Sequence, residues 1–125
     1  MFARDDRPIR WQLYLGFFAL FLGILMGLLQ AIDRANVDLY TTVGLQSYWQ
    51  GLTLHGVLNV LVFTFAFNGA FLTYVTARSL GRPIAVPVLT QAQFWLMFVG
   101  VVMAAVVLLM GTATVLFTFY APLWA

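Results

Sequence analysis

The ten charged side chains of this chain are confined to three short stretches, Arg4 to Arg10, Asp33 to Asp38 and Arg78 to Arg82. The uncharged runs from Trp11 to Ile32, Tyr48 to Ala77 and Val88 to Phe119 are about 22, 30 and 32 residues long, and a helix needs roughly 20 to cross a bilayer. That spacing predicts an all-α membrane protein with three transmembrane helices over about 11–32, 48–77 and 88–119. Composition agrees: 8% of residues are charged, against about 25% in soluble domains, and mean hydropathy is +0.96. With no cysteine, the chain has no disulfide, thiolate metal site or iron–sulfur ligand. A net charge of +2 is too small to point to nucleic acid. The first run is too long for a signal peptide, has Asp5 and Asp6 among its flanking arginines, and is followed by no small-residue cleavage site.

Arg4, Arg7 and Arg10 precede the first span, Arg78 and Arg82 follow the second, and the loop between those two spans is net negative. The positive-inside rule therefore predicts a cytoplasmic amino terminus, an external first loop and an external carboxyl end at Pro122 and Trp124. Trp11 and Trp49 read as interfacial belt aromatics.

In the first span Ala19, Gly23, Gly27 and Ala31 recur every four residues, a stripe of small side chains that lets another helix approach closely. The third span is rich in Val, Leu, Phe and Ala, with Gly100, Ala104 and Ala105 available for close packing. Polar candidates appear only at its end: Thr112, Thr114, Thr118 and Tyr120, the tyrosine in a position typical of belt aromatics.

The second span carries the sole histidine, His55, and an ionisable group inside a membrane span is costly enough to be a functional candidate by default. At 100° per residue, Gly51, Asn59, Val62, Ala66, Gly69 and Thr73 share its face, while Phe63, Phe67 and Phe71 project elsewhere. A helix beginning near Tyr48 puts His55 roughly 8–10 Å from the external end, beside a groove of small residues suited to something flat. Haem is one candidate, since imidazole is a common axial ligand and Gly51 and Gly56 leave room for a porphyrin. The residues by themselves equally allow a histidine that only hydrogen-bonds a neighbouring helix. A proton relay is disfavoured because no Asp or Glu lies in any span.

Several segments resemble subunit I of the haem–copper terminal oxidases, in particular the B family with its ba-type cytochrome c oxidases. They are GFFAL from Gly16, Gln30-Ala31, Asn36-Val37-Asp38 with Tyr40, and QSYWQGLTLHGVLN from Gln46 to Asn59. Ala77-Arg78, Leu80, Arg82-Pro83 and ATVLFTFYAPL from Ala113 to Leu123 continue the pattern. The A family fits less well, because TARSLGRPIAVPV stands where that family carries a long Asp-Met-Ala-Phe-Pro loop.

The resemblance implies a part of a bundle of about twelve or more helices in a bacterial or archaeal plasma membrane. His55 matches the axial ligand of the low-spin haem b, and Gly51, Gly56 and Asn59 become expected haem neighbours. Tyr120 matches a tyrosine near the active-site region, although Ala121 replaces the usual proline after it. Implied partners are the remaining helices of subunit I, a copper-containing subunit II, cytochrome c as electron donor, and the lipid bilayer. The implied activity is electron transfer through the low-spin haem to a high-spin haem and copper pair that reduces oxygen to water.

A low-spin haem alone takes two axial imidazoles, and one histidine cannot build the oxygen-reducing site. The expectation is therefore an amino-terminal part of an oxidase catalytic subunit, cut short or encoded as a split polypeptide. The alternatives are a small structural or assembly subunit without cofactor, and a homodimer whose two His55 side chains share one haem b.

Overall fold

The computed structural model describes residues 6–111. Three helices are long and apolar enough to span a membrane, as the charge spacing predicts. They are α1, Asp6–Arg34; α2, Tyr48–Ser79; and α3, Pro87–Leu109. Hydrophobic transfer does not drive helices together in lipid, so close fit and cross-helix hydrogen bonds must hold this fold.

The main seam lies between α1 and α2. Ile9, Gln12, Gly16, Ala19 and Gly23 are buried at alternating steps of three and four residues, forming one stripe along α1. The stripe faces α2 in antiparallel register: Gly27 lies against His55, Gly23 against Asn59, Gly16 against Ala66, and Gln12 against Gly69. Small residues set this spacing, since a Cβ on Gly16 would lie only 3.3 Å from that of Ala66. The expected four-residue stripe of α1 thus holds through Ala19 and Gly23, is half-buried at Gly27, and leaves Ala31 exposed. A straight helix drifts off a strict four-residue repeat, which carries Ala31 round to the open side.

Helix α2 is interrupted. Between α-helical segments Tyr48–Gly56 and Thr64–Ser79 lies a π-helical stretch, Val57–Phe63, beginning two residues after His55. Just after it the Thr64 hydroxyl donates back to the carbonyl of Asn59 across 3.2 Å. The wider turns delay the side-chain register, so a regular 100° step fails beyond this stretch. Val62 and Ala66 are buried as that step predicts, but Ala70 is the next buried residue, whereas Gly69 and Thr73 are half-buried. Phe63 and Phe67 pack beside Phe17 of α1, with ring centroids 6.2 and 6.1 Å away.

The start of α2 is built by its preceding loop. Ser47 is the N-cap, its Oγ accepting from the Gln50 backbone N–H at 3.3 Å, while Gln50 Oε1 accepts from the Gln46 N–H at 2.7 Å. Tyr40 folds inward from the loop, its backbone N–H bonded to Asp38 Oδ1 at 2.9 Å.

Helix α3 buries few residues against the pair, with Met97 meeting Gln12 near its middle. Trp11 of α1 meets Phe94 and Trp95 at 5.6 and 6.5 Å between centroids. At the other end, the fully buried Gln50 donates Nε2 to the carbonyls of Leu108 and Leu109 at 2.7 and 3.2 Å. Those two carbonyls lie in the last turn of α3, where intrahelical donors run out. The expected third helix reached 119; here it ends at Leu109, with Gly111 in the left-handed region at φ 70. Such a glycine is a common helix stop because a side chain would be strained there. Residues 112–119 lie outside the described residues, as does the candidate Tyr120.

Candidate functional site around His55

His55 occurs about two turns after the well-capped start of α2 and directs its imidazole at the glycine stripe of α1. Its Nδ1 lies 2.6 Å from the carbonyl oxygen of Gly23. A helical carbonyl normally accepts from the residue four positions on and keeps a second lone pair, which a neighbouring helix reaches only if the intervening side chains are absent. Gly27 supplies that absence, because a Cβ there would lie 2.8 Å from His55 Cε1 and 3.0 Å from Nδ1. Gly23 does the same one turn away, where a Cβ would collide with the amide of Asn59.

This contact decides the tautomer. Gly23 O can only accept, so Nδ1 carries the hydrogen, and a neutral imidazole then has its lone pair on Nε2. Nε2 has no hydrogen-bond partner among the described residues, and the side chain is half-buried. An imidazole tied through one nitrogen to a backbone carbonyl and open at the other is the arrangement in which histidine ligates a metal. The two readings of His55 that the residues leave open are therefore compatible: it bonds a neighbouring helix and keeps a ligand nitrogen free. Among the described residues, no three His, Asp or Glu side chains gather into a metal site.

The other expected haem neighbours are dispersed. Gly56 is buried beside His55. The space above Gly51 is taken by the Tyr40 ring, which a Cβ there would strike. Asn59 turns toward Gly23 and His55, with Nδ2 3.2 Å from His55 Nδ1. The small-residue face of α2 is consequently the seat of α1, not an open groove, and only the Nε2 side of His55 remains for a ligand.

Three features were not anticipated from the residues: the π-helical stretch, the Gly23 carbonyl as partner, and Gln50 as the tie to α3. A signal for two of them exists. Gly23 and Gly27 are spaced by four, as are His55 and Asn59, which matches two antiparallel helices in register. Ser47 and Gln50 form an S-x-x-Q capping pattern. The π stretch has no such mark in VLNVLVF.

The Tyr40 hydroxyl is buried without a hydrogen-bond partner among the described residues. Burial, and then the negative charge of Asp33, push its ionisation above the ordinary value near 10.

Cytochrome c oxidase subunit 1 of Thermus thermophilus is 48% identical to this chain over 130 residues. The match covers 97% of this chain and 23% of that protein, so the chain spans about a quarter of its relative's length. Residues 7–125 also match a family description as a whole. A match over nearly the entire chain, on three membrane-spanning helices, shows that it belongs to the family Cytochrome C and Quinol oxidase polypeptide I.

Proposed function

We propose that this chain is the amino-terminal part of the catalytic subunit of a B-family, ba-type cytochrome c oxidase, and that His55 Nε2 is one axial ligand of its low-spin haem b. The observation that carries the proposal is the Nδ1 contact with Gly23 O, which leaves Nε2 deprotonated and free of other partners. The near-continuous segment from Gln46 to Asn59 and the short loop TARSLGRPIAVPV support the B-family assignment.

Bound there, the haem supplies reversible one-electron transfer at its iron. The chain's own residues do the rest. Gly23 and Gly27 let the imidazole reach the α1 backbone; the Gly23 carbonyl holds the proton on Nδ1 and fixes the ring's orientation; and Gly56 leaves the helix surface low beside the ring. Tyr40, filling the space over Gly51, closes the loop end of the site against water. Further helices of the subunit would complete the ligation of the low-spin haem and hold the high-spin haem and copper. Electrons enter from cytochrome c through a copper-bearing subunit II. The amino terminus faces the cytoplasm, which places His55 toward the external side of the membrane.

The test is His55→Leu in the assembled oxidase. The low-spin haem absorbance should disappear while all three spans still insert; a normal low-spin spectrum would overturn the ligand assignment. For topology, reporter fusions at residue 40 and at residue 82 should report the external and cytoplasmic sides respectively, and the reverse pattern would overturn the orientation.

A further inference from the structure

Two groups face the Nδ1 of His55: the Gly23 carbonyl at 2.6 Å and the side-chain amide of Asn59 at 3.2 Å. With Asn59 Nδ2 toward the ring, two N–H groups would oppose each other, since Gly23 O already requires the hydrogen on Nδ1. In that same arrangement Asn59 Oδ1 is buried and has no hydrogen-bond partner among the described residues. Rotating the amide half a turn, a change its nearly identical O and N outlines permit, replaces the opposed N–H groups with an N–H···O contact and carries Nδ2 to the place Oδ1 held beside Gly23.

We propose that Asn59 presents Oδ1, not Nδ2, to His55, so that the Nδ1 hydrogen is shared between the Asn59 and Gly23 carbonyl oxygens and Asn59 is a positioning residue for the axial ligand. The proposal rests on the reading of His55 as a haem ligand. One of the two acceptors is backbone and cannot be lost by substitution; the other is a side chain placed one turn along α2, at the start of the π-helical stretch. The wider turns there, with Asn59 O also taking the Thr64 hydroxyl, hold Asn59 against the cleared surface of Gly23. Two acceptors pull the Nδ1 hydrogen further from the ring than one, and the ring becomes a stronger donor through Nε2. A stronger donor favours the oxidised iron.

The experiment is a redox titration of the low-spin haem in the assembled oxidase carrying Asn59→Leu or Asn59→Asp, with the visible spectrum recorded throughout. Outer partners of metal-bound histidine shift metal sites by about 10–100-fold, and Gly23 O remains in both variants, so the lower figure applies. Asn59→Leu should retain the low-spin spectrum and shift the reduction equilibrium about tenfold toward the reduced form, a rise of about 59 mV for one electron. Asn59→Asp keeps an oxygen in place and should stay at the wild-type potential or below it. If leucine blocks assembly, Asn59→Ala reads the same quantity. An unchanged potential in the leucine or alanine variant, or a rise in the aspartate variant equal to theirs, would overturn the proposal. Failure of the ligand reading is separate, because it appears as a low-spin spectrum that survives His55→Leu.

Discussion

The seam between α1 and α2 and the contact of α3 with that pair are built on opposite plans. Along the seam, glycines bring two backbones close enough for a side chain of one helix to bond the main chain of the other, as His55 does with Gly23. Helix α3 buries only Thr90, Phe94 and Leu108 and is held by the Trp11 aromatic cluster, by Met97 against Gln12 and by Gln50. Its glycine, Gly100, has open space where a Cβ would stand. A glycine is therefore worth protecting where it clears room for a partner and dispensable where it clears none. The same contrast separates a seam that fixes the orientation of an imidazole from a helix whose long exposed face is left for lipid or for further helices.

The largest break in that contrast should come from Gly27→Leu. Its side chain would occupy the place of the His55 ring, and overpacking of this kind costs about 1–3 kcal/mol. With ligand geometry lost as well, low-spin haem content per mole of complex should fall at least about tenfold, measured by reduced-minus-oxidised absorbance. A full haem complement would mean that the seam does not position His55.

Gln50→Leu tests the tie at the end of α3. It leaves the carbonyls of Leu108 and Leu109 and the N–H of Gln46 without their partner, at a cost of about 1–3 kcal/mol. The purified oxidase should unfold at a lower temperature while the low-spin spectrum is unchanged.

Tyr40→Phe is expected to be smaller, within about 1 kcal/mol and not destabilising at neutral pH, because the hydroxyl it removes has no partner. Its sharper effect is on pH. The Tyr40 phenol ionises at higher pH folded than unfolded, so its contribution to stability is complete below the unfolded value near 10 and is lost as pH rises through the folded one. Phenylalanine should abolish that part of the alkaline destabilisation, and denaturation profiles from neutral to strongly alkaline pH would reveal it. Gly100→Ala completes the series as the control for Gly27, with no loss of haem and a gain in stability of at most about 1 kcal/mol from helix propensity.

Much of this was legible in the residues. Charge placement is decisive for spans because each buried charge is expensive, so the three helices could be delimited without any tertiary information. The stripe expected from Ala19 to Ala31 followed from spacing and holds as far as Gly27, and His55 stood out by the rarity of an ionisable group in a span. The site's details were less accessible. Gly51 is spaced one turn from His55 and seemed to clear room for a flat ligand, but a loop tyrosine remote from the span takes that room. The face expected from regular stepping shifts beyond Val57–Phe63, because a π-helical stretch is an outcome of packing and side-chain insertion, with no dedicated residue pattern.

Sequence alone determined that the chain crosses a membrane three times and that one imidazole stands near one end of the second crossing. Both are consequences of transfer energies, which belong to residue types and their order. Tertiary structure decided which nitrogen of that imidazole is free. That depends on a backbone carbonyl 32 positions away reaching Nδ1, and main-chain acceptors are the same in every residue until folding brings one of them within hydrogen-bond distance.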